Sequence, residues 1–401
     1  MLLNLKQGGL LLHIANWSKI KDGHVTDIYF RRAVEILEAK DIHKHVTAEV
    51  KIPCLPHDHE YGVLAGIEEA VYLLEGLGVD VLAMDEGAVF QANEPVMIIS
   101  GDYADFAVYE TPLLGFLCQA SGIATKAARC KMAADGRPVL SFGARRMHPA
   151  ITPMIDRSAY IGGCDGVSAI ESAEFLGLEP VGTIPHALIL VVGDPVKAFA
   201  MFDEIVDESV NRIALVDTFG DEKFEALDAA EALGERLFAV RLDTPSSRRG
   251  DFKRIFQEVR WELDLRGYQH VKMVASGGLD EYSIPDLNEV VDSYGVGTCI
   301  SNAPVIDFSM DIIDIEGEPI AKRGKFSGVK RVLKCAECST RRIVPGKSDV
   351  NSNHASSVLC MCGGQMVDLL KPLVENGKIV RELPSPQDIR EYVLDQLKER
   401  Y

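Results

Sequence analysis

The chain of 401 residues has no stretch approaching the ~18 uninterrupted apolar residues that a membrane-spanning helix needs. Its apolar start, "MLLNLKQGGLLLHI", is broken by Gln7-Gly8-Gly9 and has no basic flank, so it reads as mature sequence and not as a secretory leader. Basic residues are in deficit. Against 60 Asp and Glu stand 42 Lys and Arg, a net charge of −18, which disfavours general binding to nucleic acid or to an anionic membrane surface. An anionic ligand must therefore be caught by a local cluster of cations working against the overall field. Disulfide architecture is also disfavoured: the nine cysteines are an odd number, and Cys54, Cys118, Cys130, Cys164 and Cys299 lie scattered in apolar contexts. Unpaired buried thiols suit a reducing cytoplasm.

What is present is a composition of 47% hydrophobic and 25% charged residues, that of a globular chain long enough for two or three cores. Residues 1–136 read as a mixed α+β domain. "HVTAEVKI" alternates like a strand, "IEEAVYLLEGL" has helical spacing, and "ETPLLGFLCQASGIATKAARCKMAA" supplies one or two apolar-faced helices. Over 137–305 the pattern changes: "VLSFG", "VGTIP", "IALVDTFG", "LFAVRLD", "VKMVASGG" and "GVGTCIS" alternate with helical stretches. Such alternation predicts a parallel sheet with helices outside, here an irregular or incomplete (β/α) barrel rather than an eightfold one. From 306 to 401 come hairpins, a cysteine module at about 332–365, and a closing helix with Ser385 as its N-cap and Pro386 behind it. This last segment is expected to return to the α+β domain.

The barrel strands end in polar residues. Arg145, His186, Asp217, Asp243, Ser276-Gly277-Gly278 and Gly295-Val296-Gly297-Thr298 all fall at or just past predicted strand ends. In a parallel barrel those ends converge on one face, which carries the active site. One such residue is commonly a helix cap; six in succession point to a shared site. The glycine turns at 276–278 and 295–298 let backbone N–H groups approach an anion. Asp217 and Asp243 are placed to bind hydroxyls or Mg²⁺. Arg241 shares the strand side of Asp243, with a local ion pair as the plain alternative.

Cys335-x-x-Cys338 and Cys360-x-Cys362, with 21 residues between the pairs, have the spacing of a structural zinc site, and His354 could replace one thiol. Nine Lys or Arg against one Glu over 321–347 leave open a nucleic-acid-binding role for this module, although it lacks interleaved aromatics and the rest of the chain is acidic.

Diol-binding carboxylates, a phosphate cradle and several arginines together suit a phosphorylated sugar, with 5-phosphoribosyl as the leading candidate. The phosphoribosyl motif of the type I transferases is met only partly by "IALVDTFGDEK". The chain resembles instead the type II phosphoribosyltransferases. Within them it is similar to the nicotinate phosphoribosyltransferase family, in its archaeal-type form with a zinc-knuckle-like insert. The resemblance rests on "TDIY", "SGIATKAAR", "SFGARR", "GCDGVSA", "GTIPHA", "VDTFGD", "RLDTPS" and "SGGLDE" in that order.

The resemblance implies transfer of phosphoribosyl from phosphoribosyl pyrophosphate to nicotinate, giving nicotinate mononucleotide and pyrophosphate, with Mg²⁺ on the sugar pyrophosphate and ATP as co-substrate. It gives Phe142 the role of stacking on the pyridine ring and Arg145, with Arg146, that of binding an anionic group. Tyr29 would cover the ring from the other subunit of a homodimer. His186 would be phosphorylated by ATP, Asp217 would contact ribose or Mg²⁺, and Arg241 with Asp243 would hold the ribose phosphate. Asp165 or Ser168 would lie near the pyridine substituent. Nicotinamide or quinolinate in place of nicotinate remain open, and His148 reads as solvent-facing.

Overall fold

The computed structural model describes residues 13–346 and 358–399, so the first twelve residues and His354 lie outside the described residues. The chain divides into two compact units, 1–119 with 306–384, and 120–305 with 385–401.

The first unit is built on a seven-stranded antiparallel sheet. Its spatial order is Glu318–Pro319, Ser309–Ile315, His45–Lys51, Met97–Asp102, Val79–Ala83, Lys371–Glu375 and Lys378–Ile379. The helix Ile67–Leu74 adds five buried residues of its eight to the unit's core. His45–Lys51 forms as its alternation suggests, yet every residue after His45 is buried, so neither face is left to water. The polar face is satisfied internally. Thr47 and Ser100 share a hydrogen bond of 3.0 Å, and the fully buried Glu49 pairs with Lys51 and with Lys330 at 2.9 Å. A buried carboxylate is tolerated when cations meet it in this way. A separate three-stranded sheet, Arg341–Pro345, Lys330–Cys335 and Met366–Asp368, carries the cysteine module.

The second unit holds a curled sheet of six parallel strands, in the order Gly166–Val167, Val139–Ser141, Ser293–Val296, Lys272–Ser276, Leu237–Leu242 and Arg212–Leu215. Helices Pro195–Ile205, Glu222–Leu233 and Phe252–Leu265 alternate with the later strands and bury Phe199, Ala226, Ala230, Phe256 and Leu263 in one core. The irregular barrel is thus present, with one correction to its strands. "VGTIP" is not a strand; Gly166–Val167, inside "GCDGVSA", takes that place in the sheet. The Val181 amide donates to Val167 at 2.9 Å and the Ile184 amide to Ile213 at 3.3 Å. The stretch therefore spans from one edge strand to the other with one bond to each. That is too little pairing for a strand, but it joins the two free edges of the curl.

The closing helix Pro386–Lys398 has the expected Ser385 cap, completed as a capping box with Asp388. It belongs to the second unit. Arg390 donates to the Cys164 carbonyl at 2.9 Å and pairs with Asp165 at 2.7 Å, so it packs beside the helix Thr152–Ile161 instead of the antiparallel sheet.

Glu110, in the first unit, has its carboxyl pushed up to about 7, by burial first and then by the Asp311 charge. The native state then holds a proton that the unfolded chain releases near the ordinary carboxylate value, so this group's contribution to stability falls as pH rises toward 7. Glu110→Gln removes that dependence. Its thermal midpoint relative to wild type is expected to rise between pH 5 and pH 8, read by differential scanning fluorimetry; a constant difference would contradict the assignment.

Candidate active site

The strand ends of the second unit open onto one cavity of about 600 Å³. Phe142, Arg145, Arg241, Asp243, Ser276, Gly277, Gly278, Gly295, Gly297 and Thr298 all line it, joined by Arg146 and Arg249. Ten of the residues singled out from sequence are therefore brought together, drawn from four separate strand ends.

The floor is a hydrogen-bonded lattice. Asp243 donates its backbone N–H to Asp217 Oδ2 at 2.9 Å, and its carboxylate accepts from Ser276 Oγ at 2.8 Å. Arg241 pairs with Asp243 at 3.1 Å and donates to Ser276 Oγ and to Thr183 Oγ1, each at 2.8 Å. The ion pair considered for Arg241 and Asp243 is thus present, and it lies in the cavity wall. His186 sits behind, with Nε2 3.6 Å from Asp217 and 3.9 Å from Asp243, and Nδ1 3.1 Å from Thr218 Oγ1. Asp217 is the most buried carboxylate of this group. Burial pushes its carboxyl above the ordinary range and the Asp243 charge adds to this, while the His186 charge and the Asp243 amide oppose it. Its side chain is 3% exposed, and Oδ1 makes no hydrogen bond among the described residues. Such an atom is suited to a ligand hydroxyl or a cation.

Two glycines are required by contact. A Cβ on Gly295 would lie 2.5 Å from the Phe142 ring, and one on Gly277, where φ is +87°, would lie 3.0 Å from both the carbonyl and the carboxylate of Asp243. Phe142 is further held by its backbone N–H, which donates to the Val296 carbonyl at 2.9 Å, with the Arg241 guanidinium 5.3 Å from the ring centre. Arg145 and Arg146 are exposed and make no ion pair among the described residues, which leaves both free for an anion. His148 caps a short turn, accepting from the Ala150 amide at 3.2 Å.

Five residues singled out from sequence do not join the cavity lining: His186 and Asp217, which lie behind it, and Asp165, Ser168 and Tyr29. Asp165 precedes its strand instead of following it. It sits at the amino end of the sheet, accepting from the Val139 amide at 2.8 Å and paired with Lys131 and Arg390. Its carboxylate is structural. Ser168 does follow that strand but is not part of the lining. Tyr29 belongs to the first unit, on the helix Ile28–Ala39, and is 59% exposed.

Two residues were missed. Glu225, 3% exposed, accepts from the amides of Thr218, Phe219 and Gly220, which fixes the loop carrying Asp217 and Thr218. In sequence it looks like any acid in a helix's first turn. Arg249 donates to the Thr244 carbonyl at 3.0 Å and to that of Gly277, tying two strand-end loops together. Only its place after "RLDTPS" hints at that.

The cysteine module has the geometry of a metal centre. Cys335 and Cys362 sulfurs lie 3.6 Å apart, as do those of Cys338 and Cys360. Tetrahedral zinc with four thiolates requires about 3.8 Å. The amides of Glu337 and Gly364 point at Cys335 and Cys362 sulfurs at 3.4 Å, and a Cβ on Gly364 would come within 2.8 Å of Cys335 Sγ. The donor set fits a tetrahedral ion. The basic residues around it are partly committed to the fold, since Arg341 is paired with buried Glu94 at 2.7 Å.

Comparison with known proteins agrees with this architecture. The sequence profile described as "Quinolinate phosphoribosyl transferase, C-terminal domain" matches residues 123–311, and its N-terminal counterpart matches 27–121. A structure described as nicotinate-nucleotide pyrophosphorylase from Pyrococcus furiosus is 56% identical, with a TM-score of 0.93, covering 97% of this chain and 98% of that one. Nicotinate phosphoribosyltransferase pncB2 of Mycobacterium tuberculosis is 28% identical over 93% of this chain and 86% of its own length. The human nicotinic acid phosphoribosyltransferase structure, 18% identical with a TM-score of 0.70 over 93% of this chain and 94% of that one, shares the fold. Fold and cavity thus define a phosphoribosyltransferase of the type II class, an enzyme. Within that class the chain belongs to the nicotinate phosphoribosyltransferase family.

Glu225→Ala should leave the three amides unpaired and release the Asp217 loop. Expected outcomes are a loss of about 1–3 kcal/mol in urea unfolding per the cost of stranded buried donors, and a fall in turnover beyond what the stability loss explains. A variant as active as wild type would contradict this placement.

Proposed function

We propose that the enzyme forms nicotinate mononucleotide and pyrophosphate from nicotinate and phosphoribosyl pyrophosphate. The observation that carries the reading is the single cavity in which a carboxylate–guanidinium lattice, two glycine turns and two free arginines meet. The curated relative's name supports the choice of base, since it refers to nicotinate, while the matching domain profiles refer to quinolinate and keep that base as the alternative.

Displacement at the anomeric carbon passes through a ribosyl cation-like transition state. In this reading Asp217 and Asp243 sit near the positive ring and bind its hydroxyls. The turns at 276–278 and 295–298 receive the 5-phosphate through backbone N–H groups. Arg145 and Arg146 hold the departing pyrophosphate or the nicotinate carboxylate, and Phe142 aligns the pyridine. A charged, preorganised environment of this kind acts mainly by electrostatic stabilisation, and one donor removed costs about 10²–10³ in turnover. Mg²⁺ would enter with the sugar pyrophosphate and neutralise it, and Asp217 Oδ1, which makes no hydrogen bond among the described residues, could face it.

ATP coupling through His186 is part of the same reading. Nδ1 is engaged with Thr218, so Nε2 would carry the phosphoryl group. Its two carboxylate neighbours then demand a compensating cation. The active unit is proposed to be a cytoplasmic homodimer in which the exposed Tyr29 of one subunit covers the pyridine bound to the other. Among the described residues no helix is long and apolar enough to cross a membrane. Zinc is proposed to fill the four-thiolate site and to hold the three-stranded sheet together without touching substrate.

Pyrophosphate release measured with nicotinate, nicotinamide and quinolinate in parallel, each with and without ATP, tests the assignment. Activity should be highest with nicotinate; inactivity with all three would sink it. Salt-sensitive RNA or DNA binding without pyrophosphate release would favour the nucleic-acid alternative. Asp217→Asn removes a carboxylate that the fold disfavours. It should therefore keep or raise thermal stability at pH 8 while turnover drops at least about tenfold, the pattern of a residue kept for activity at some cost in stability. His186→Ala should keep slow turnover and lose its stimulation by ATP. Cys335→Ser should lower the metal content from about one zinc per chain and reduce the thermal midpoint. A metal-free wild type of unchanged stability would contradict the zinc role.

A further inference from the structure

Two thiols and a carboxylate that the proposed chemistry does not use meet behind one wall of the cavity. Cys299 follows Thr298 directly and lines the cavity. Cys130 is fully buried near the end of the helix Glu110–Ala133, and Glu281 completes the group. Their sulfur and oxygen atoms all lie within 4.8 Å of one another, with Cys299 Sγ 3.8 Å from Glu281 Oε2. Three donors could suggest a cation site, but Glu281 is already neutralised by Lys126 at 2.5 Å and Arg129 at 3.3 Å. Two positive groups on the same carboxylate repel a third. What remains is a pair of reduced thiols within 4.8 Å of each other, one facing a ligand cavity and one sealed behind it.

The two are unequal. The hydrogen bond shared with Cys299, together with burial, keeps the Cys130 proton well above the usual thiol range. Cys299 is lowered, chiefly by that same bond and also by the Lys126 charge, while burial and Glu281 oppose. Reactive cysteines are those with thiolate character and access, and a neighbouring thiol able to resolve the first oxidation product makes the reaction reversible.

We propose that Cys299 and Cys130 form a site of oxidative modification, in which peroxide entering through the cavity links them and withdraws the 295–299 turn from its ligand. The thiolate of Cys299 attacks one peroxide oxygen; the O–O bond breaks, hydroxide leaves, and Cys299 becomes a sulfenic acid. Cys130 then attacks that sulfur, the S–O bond breaks, and its own proton departs with the leaving hydroxide as water. Two thiols and one hydrogen peroxide become one disulfide and two waters, a two-electron oxidation that a dithiol reductant reverses. Cys299 lies in the four-residue helix Thr298–Ser301, immediately after the irregular backbone of Gly297 (φ −103°, ψ −108°). Drawing its sulfur toward the long helix therefore displaces the turn that lines the cavity. The structural part of this inference stands alone; its effect on activity rests on the transferase reading.

The test is hydrogen peroxide titration of the full-length, metal-loaded chain, followed by mass spectrometry of non-reduced peptides, pyrophosphate release, and a chromogenic zinc chelator to follow the other thiols. The expected result is a peptide joining 130 to 299 before any zinc release. Activity should fall in step with the cross-linked fraction, return with dithiothreitol, and be protected by phosphoribosyl pyrophosphate. Cys130→Ala should keep the activity of the reduced enzyme and lose the dithiothreitol-reversible inhibition; the wild-type peptide measurement stands even if that variant folds poorly. Oxidation confined to the zinc thiols, or inhibition unchanged in both Cys130→Ala and Cys299→Ser, would overturn the proposal. A 130–299 cross-link in a chain inactive with every pyridine carboxylate supports the thiol pair and removes the substrate assignment instead.

Discussion

Asp217 and Asp243 are held side by side by a backbone amide, and the rest of the site is arranged around that contact. Burial raises the proton affinity of Asp217, and the charge of the neighbouring Asp243 adds to it. The protein answers with Arg241 on one carboxylate, His186 within reach of both, and Ser276 donating to Asp243. Removing one member of such a set strands the others, which is why the lattice is better viewed as a single unit than as a sum of pairs.

The parallel sheet makes this assembly possible. Carboxyl ends of neighbouring strands lie side by side, so residues far apart in sequence become neighbours without long loops. Two conditions must hold. The curl needs its edges joined, which the 181–184 segment does by bonding to Val167 and Ile213. That same segment delivers Thr183 to Arg241 and leads directly into His186. The strand-end turns must also come close to one another, which is why Gly295 faces Phe142 and Gly277 faces Asp243 with no room for a side chain.

Much of this is legible in the sequence, for identifiable reasons. Alternating strand and helix patterns place Asp217, Asp243, Ser276 and Gly295 at strand ends, and topology alone then gathers them. Cysteine spacing identifies the four-thiol site, because the ligands and the amides that orient them are local in the chain. What fails is whatever depends on register or on long-range pairing. Asp165 is misread because it lies one residue before a two-residue strand, a difference that moves it to the opposite end of the sheet. "VGTIP" has strand composition but only one bond to each side. Glu225 is invisible because its partners are backbone amides, which carry no residue signature.

The central claim is that these groups surround one phosphorylated pentose. A crystal structure with phosphoribosyl pyrophosphate and Mg²⁺ tests it directly. The account predicts the 5-phosphate against the 276–278 and 295–298 turns, ribose hydroxyls within hydrogen-bonding distance of Asp217 or Asp243, and the pyrophosphate beside Arg145 or Arg146. Density for the ligand elsewhere, with the Asp217–Asp243–Arg241 lattice untouched, would contradict it.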